Sequence, residues 1–353
     1  MTIYIVLWIS IIICCFIEVN FSVVKIDRLK IRTRKLSFVF LYLFILLLGI
    51  LREEFLGVDV YNYRSHYFEY GNIGFMELLK GAYFEKGYII LNKVIYIFTK
   101  DFWTFKAILY FITFTLFSFV IYKNSKYISV SYLFYIGFGF LGFNFCILRQ
   151  ALSVSICFCA FQFIKEKKAV PFILSIILAA TIHQTAICYL LLYPIVNGFY
   201  KDRFGLKKIF LVILAITIGN NFLPYLFRFG INDYSTEAVS GTGYNMLVLY
   251  IFLMIVIRIL YKNHCEDSLK SEYNSLYAII YFQIDAIFFS LISRMVNYFS
   301  VMLSVFVPNL IFYYKKKNLL LIFFVLLCTL MFYISFVIND PTQIVPYSSI
   351  FKK

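Results

Sequence analysis

The stretch Asn144-Phe145-Cys146-Ile147-Leu148-Arg149-Gln150-Ala151-Leu152-Ser153 sets an arginine and an amide in the middle of uncharged, mostly apolar sequence. No charge occurs from Tyr127 to Leu148, and none from Ala151 to Ile164, where the basic run Lys165-Glu166-Lys167-Lys168 begins. Such runs approach the roughly 18–20 apolar residues that cross a bilayer core as a helix. An arginine in that setting costs roughly 2.5–3.5 kcal/mol on insertion scales unless it meets water or an anion. Arg149 is therefore read first as a site residue. Snorkelling to lipid headgroups is the competing reading, for Arg149 and for Arg294 alike.

Working outward, 62% of the 353 residues are apolar, 21% aromatic and 14% charged. That predicts an all-α, polytopic integral membrane protein. The first apolar run, Thr2 to Ile17, lacks a basic leader and precedes a strongly basic stretch, so it reads as a retained helix. The net charge of +15 does not point to nucleic acid. Lysine and arginine collect in cytoplasmic loops of membrane proteins, and the clusters here fall where such loops belong. The eight cysteines lie mostly inside apolar runs and form no C-x-x-C pair, which reads as apolar packing and suggests neither zinc nor a disulfide framework. No H-E-x-x-H, P-loop or G-x-G-x-x-G occurs, so no metal and no cofactor is expected.

Charge then sets a topology. Lys25, Arg28, Lys30, Arg32, Arg34 and Lys35 mark the first inner loop. Leu36–Leu51 crosses outward to an external loop at 52–101, in which Gly87–Phe98 reads as a helix lying at the surface. Phe102–Tyr122, Tyr127–Leu148 and Ala151–Ile164 follow as spans. The run from Ala169 to Tyr200 is too long for one upright helix and short for two. Placing Lys201, Arg203, Lys207 and Lys208 inside requires two short crossings that meet at His183-Gln184. Ile209–Phe227 leads to a smaller external loop at 228–244. Met246–Tyr261, Tyr273–Ser293, Met295–Tyr314 and Leu319–Ile338 complete about twelve crossings in a single transmembrane domain over 1–353, both termini outside.

This topology gathers Arg52, Asp59, Tyr61, Tyr63, Arg149, Gln150, His183, Arg294, Tyr298 and Tyr347 at the external face. Guanidinium forks bind phosphate oxygens through paired hydrogen bonds, so three arginines suit a pyrophosphate. A histidine, with its ordinary pKa near neutrality, suits proton transfer from a hydroxyl. Plainer readings stand beside these. Arg52 also fits an interface marker, His183 a packed hairpin residue, and Asp59 with Tyr61-Asn62-Tyr63 an ordinary loop and aromatic belt. Asp285, inside an apolar run, has no place in the scheme.

At these residues the chain resembles the EpsG family, relatives of Wzy-type polysaccharide polymerases. The resemblance rests on Arg52 with Gly57-Val58-Asp59-Val60-Tyr61-Asn62-Tyr63, on Arg149-Gln150-Ala151, on Ala180-Thr181-Ile182-His183-Gln184-Thr185-Ala186, on Arg294-Met295-Val296-Asn297-Tyr298-Phe299 and on Val345-Pro346-Tyr347. Val58 and Val60 stand where the family carries threonine. The resemblance implies a GT-C-like fold in the bacterial cytoplasmic membrane. It implies a polymerase that joins undecaprenyl-pyrophosphate-linked glycan repeats on the outer side, yielding O-antigen, capsule or exopolysaccharide. A flippase and a chain-length regulator of the same pathway are the implied partners. Arg149 and Arg294, with Arg52 third, would hold the pyrophosphate; His183 would serve the acceptor hydroxyl; Asp59, Tyr61, Tyr63, Gln150 and Tyr298 would hold substrate.

Two other classes fit the composition. A flippase for lipid-linked sugars needs charges along the whole path, and here the lone charges favour one end. It also commonly carries an internal repeat, and none is visible. A membrane acyltransferase acting on the same glycan would use His183 as base but leave the arginines without a task.

Overall fold

The computed structural model describes residues 1–26, 29–75, 77–78, 84–197, 243–264, 269–288 and 290–351. Six helices are long and apolar enough to cross a membrane: Thr2–Asn20, Thr33–Ile50, Phe102–Asn124, Gly243–Lys262, Ile292–Tyr313 and Lys317–Ile338. The chain is a helical membrane protein. Between the first two spans the basic segment forms a short antiparallel hairpin, β1 (Val23–Ile26) against β2 (Leu29–Arg32). Its alternation of β-branched and basic residues is the period-2 pattern that the all-α reading passed over.

In chain order the helices of the first half are α1 (Thr2–Asn20), α2 (Thr33–Ile50), α3 (Val60–Asn72), α4 (Lys86–Phe98), α5 (Phe102–Asn124), α6 (Ile128–Gly137), α7 (Phe140–Cys146), α8 (Leu148–Lys165) and α9 (Ala169–Ile182). The segment 52–101, read as an external loop with a helix at Gly87–Phe98, has that helix as α4 and a second one, α3, packed on it. Tyr127–Leu148, read as one span, is instead the pair α6 and α7, bent by 62°. Gly139 opens α7 at φ +79, a left-handed conformation that glycine adopts without the Cβ penalty. With that pair taken as one span the count reaches seven.

The expected count of twelve is not reached by length and hydropathy among the described residues. Ile209–Phe227 and nearly all of the 228–244 loop lie outside them. Elsewhere polar groups lower the apolarity: α8 carries Arg149 in its first turn and ends with Lys165, and a later helix carries Glu272 and Asp285. The two halves of the His183 hairpin are short. They are α9 and a 3-10 run, Gln184–Leu191, continued by α10 (Leu192–Asn197). His183 falls at the break.

The chain divides into two compact units. The first comprises Met1–Ala160, Leu174–Ile187 and Leu303–Lys353; the second comprises Phe161–Ile173 and Cys188–Met302. In the first, one turn between α5 and α6 is tied by side chains from three other helices. Glu18 of α1 accepts the Ile128 and Ser129 N–H groups at 2.9 and 2.8 Å, capping α6 from a distance. Free N–H groups at a helix start need such partners, and a carboxylate also suits the positive end of the dipole. Arg34 donates to the Ser125 carbonyl at 3.0 Å and to that of Tyr122, covering the end of α5. Asn309 clasps the turn from both sides, donating to Asn124 O and accepting from Lys126 N, each at 2.8 Å.

The C-terminal tail closes the opposite end of α1 and α2. Tyr4 donates to Ile344 O and Tyr347 to Leu48 O, both at 2.9 Å. Glu53 N donates to Ser348 O at 2.8 Å beside an Arg52–Ser349 bridge. The closing Val345-Pro346-Tyr347 motif is therefore a latch on the end of α2.

The second unit is built on α11 (Gly243–His264), α12 (Lys270–Phe288) and α13 (Ser290–Ser300). Lys165 pairs with Glu272 at 2.7 Å, and Phe282 stacks on Phe299 at 4.5 Å.

Candidate functional site

Three elements of the first unit bring their ends to one carboxylate. Glu85 immediately precedes α4, His183 follows α9, and Arg149 lies in the first turn of α8. Two contacts hold these ends in register. Ser153, one turn beyond Arg149, donates to Ala179 O at 3.0 Å and so ties α8 to α9. Gly87 meets Thr181 so closely that a Cβ there would lie 2.3 Å from Thr181 Oγ1.

Glu85 Oε1 then sits 3.0 Å from His183 Nδ1 and accepts the Gln184 backbone N–H at 3.0 Å. Its Oε2 takes a hydrogen bond from Arg149 Nη1. Around the guanidinium stand three aromatic rings: Phe84 at 3.8 Å from the guanidinium carbon to the ring centroid, Tyr88 at 5.8 Å and Tyr63 at 6.0 Å. A guanidinium on ring faces gains up to about 2 kcal/mol when desolvated, and the carboxylate supplies the rest of its compensation.

The side chains of Arg149, Glu85 and His183 retain 13, 16 and 10% of their exposure. The cluster is mostly desolvated but open at its rim. Burial alone would raise the Glu85 pKa. The His183 hydrogen bond, the Arg149 charge and the Gln184 N–H outweigh it and hold the carboxyl down at about 2. At neutral pH Glu85 is an acceptor-only carboxylate.

The other residues expected in a site are distributed differently. Tyr63 is buried against Arg149, and Gln150 is fully buried next to it on α8. Asp59 is half-buried at the start of α3, and Tyr61 is exposed. Gly57 before them has φ +118, and a Cβ there would lie 2.7 Å from Cys146 Sγ; the glycine of that motif serves this close turn.

Arg52 is fully buried and makes none of the Glu85 contacts. Its Nη2 donates to Phe145 O at 3.3 Å, and its guanidinium lies over the rings of Phe145 and Tyr110 at 4.3 and 5.2 Å. Its Nε and Nη1 have no hydrogen-bond partner among the described residues. It sits under the C-terminal latch.

Arg294 and Tyr298 belong to the second unit, on α13, half-buried and fully buried respectively. Asp285 is buried on α12 in the same unit.

Glu85 is the residue that sequence reasoning missed. In Tyr83-Phe84-Glu85-Lys86-Gly87 it looks like half of a solvated charge pair before an apolar run. The only hint was the glycine two positions on, in the first turn of a helix where glycine is costly. Among the described residues no group of three His, Cys, Asp or Glu assembles as a metal set.

A bundle of apolar helices with a desolvated Arg–carboxylate–His cluster defines a polytopic membrane protein that carries a polar site. Within that class the chain belongs to the EpsG family, whose profile matches residues 35–349. The match takes in every motif named for the resemblance. No curated protein and no solved structure matches the chain.

Proposed function

We propose that this protein polymerises polysaccharide from lipid-pyrophosphate-linked repeat units, with undecaprenyl as the carrier, on the external face of the bacterial cytoplasmic membrane. Family membership supports polysaccharide polymerisation as the activity. The observation that carries the site is the meeting of Arg149 and His183 on Glu85, residues 64 and 98 positions from it in the chain.

In the reaction, a hydroxyl at the non-reducing end of one lipid-linked glycan attacks the anomeric carbon of another. A new C–O bond forms as the bond from that carbon to pyrophosphate oxygen breaks. The bonding pair leaves on the pyrophosphate and the hydroxyl proton passes to a base. Pyrophosphate is already a good leaving group, so the protein has two tasks: to hold two lipid-borne substrates in line and to stabilise the departing charge. Arg149 serves the pyrophosphate and His183 the hydroxyl. Tyr63, Asp59, Tyr61 and Gln150 border the substrate, while Arg294 and Tyr298 keep the binding roles that the resemblance implies. The same reading retains a GT-C-like architecture of about twelve crossings. In its support, each apolar run that falls among the described residues is helical.

The test is deletion of the gene, followed by complementation with wild type, R149A or H183A, with the surface glycan resolved on a gel. Wild type restores a ladder. R149A and H183A insert normally and leave single repeats on the carrier. A normal ladder from both variants overturns the assignment, and loss of even the single repeat on deletion points to an earlier step.

A further inference from the structure

Two groups in the cluster are candidates for taking the acceptor proton, and the geometry separates them. Glu85 is saturated: His183 and the Gln184 N–H share Oε1, and Arg149 occupies Oε2. A carboxylate held that far down is a poor base, since general-base efficiency rises as the pKa approaches the working pH. Histidine, with an ordinary pKa of about 6.5, is the better one. The question is which of its nitrogens is basic.

The ionised carboxylate answers it. Glu85 has no proton to give, so the hydrogen in the 3.0 Å contact must be on Nδ1. A neutral imidazole then carries its lone pair on Nε2, on the side of the ring away from Glu85. A second-partner carboxylate that fixes a histidine tautomer in this way also stabilises the imidazolium that forms when Nε2 takes a proton.

We propose that Glu85 is the positioning residue of this site: through Oε1 it holds His183 with Nδ1 protonated and Nε2 as the base for the acceptor hydroxyl, and through Oε2 it holds Arg149 beside that base. The inference rests on the polymerase reading for the identity of the hydroxyl, and on the geometry alone for the tautomer. In the step, the hydroxyl oxygen bonds to the anomeric carbon while its hydrogen moves to His183 Nε2. The electron pair of the broken C–O bond leaves on pyrophosphate, and the proton on Nε2 is released to water as the next acceptor enters. Glu85 neither gains nor loses a proton.

This arrangement also explains the local sequence. The carboxylate must reach across from α4 to two other helix ends, which requires Gly87 beside Thr181. Arg149 stands at the positive end of its own helix dipole, an unfavourable place for a cation, and Glu85 offsets that as well.

The experiment uses the full chain in lipid nanodiscs. The chain holds three histidines, so the H66Q/H264Q background leaves His183 alone, and 15N-histidine NMR reads its tautomer directly. The expected result is an Nδ1-protonated ring in the parent. In E85Q that preference is lost, and turnover of synthetic lipid-linked repeats falls by about 10²–10⁴-fold, the usual worth of a positioned acid–base group. E85D, with the charge on a shorter arm, recovers part of both. An Nε2-protonated ring in the parent overturns the proposal without any active-site variant, and so does E85Q with parental turnover. Should the parent polymerise nothing while its ring is Nδ1-protonated, the polymerase reading and the hydroxyl fall, and the Glu85–His183 pairing stands.

Discussion

Gly87 and Thr181 lie in such close contact that any side chain at position 87 collides with Thr181: a Cβ would be 2.3 Å from its Oγ1 and 2.7 Å from its carbonyl oxygen. Because one of the two clashes is with backbone, shortening Thr181 cannot relieve it. Gly87→Ala is therefore expected to push α4 away from α9 and draw Glu85 off His183. Overpacking of this kind costs about 1–3 kcal/mol. Thermal melting of the purified protein should fall accordingly, and polymer length should collapse even though no charged group has changed. Unaltered melting and an unaltered ladder would refute the role given to this contact.

The pH dependence of stability follows from Glu85. Its folded pKa of about 2 lies below the ordinary carboxyl value of 4.5, so the cluster stabilises the fold above pH 4.5 and loses that contribution as pH drops toward 2. The full contribution is on the order of 3 kcal/mol. The melting difference between wild type and E85Q should shrink as pH falls from about 5 toward 2. A difference that instead vanishes above pH 5 contradicts the assignment of the stabilising charge to Glu85.

Arg149 both pairs with a carboxylate and lies over the Phe84 ring. Lysine keeps the charge and loses the fork and the planar stack. R149K should therefore insert normally yet lengthen chains at least about 10-fold more slowly than wild type, measured as initial rate on synthetic repeats. Full activity in R149K would reduce the residue to a point charge.

Glu18 holds the start of α6 from another helix, accepting two backbone N–H groups and the Ser129 hydroxyl. E18A leaves those donors buried without an acceptor, a loss of about 1–3 kcal/mol for an unsatisfied group. The expected phenotype is a lowered melting temperature, with surviving molecules polymerising at the normal rate. A selective loss of rate at unchanged stability would place Glu18 in the chemistry instead.

Arg52 makes the opposite prediction. It is fully buried, with two guanidinium nitrogens lacking partners and no ion pair among the described residues. Replacing a buried charge held by one hydrogen bond and two ring faces, with no ion pair to repay its desolvation, by an apolar side chain of similar length is expected to be neutral or stabilising. R52M should melt no lower than wild type, and a clear drop in melting temperature counts against this reading.

Much of the fold was legible along the chain because bilayer helices obey local rules. Uncharged runs became helices, and the run that starts at Ala169 breaks at His183 into two short helical segments; the charges at 201–208 on which the two-crossing reading rests lie outside the described residues. The bend at Gly139 was not legible: an isolated glycine in an apolar run only becomes a hinge when the helix packing around it selects a positive φ. The hairpin at β1 and β2 was masked by the basic residues that marked it as an inner loop. Arg149 and His183 stood out for their isolation in apolar sequence, whereas Glu85, beside a lysine in a polar segment, did not.

By itself the sequence determined which segments become helices and where polar groups interrupt them, because burying a backbone in lipid leaves each segment to satisfy its own hydrogen bonds. Only the tertiary structure decided which of those polar groups meet. Arg149 and His183 find the same carboxylate because three helix ends converge at Gly87 and Thr181, and Arg52 is shut beneath the tail by the same kind of convergence. Charge pairing depends on distance in space, and residues 64 and 98 positions apart carry no mark of it in their order along the chain.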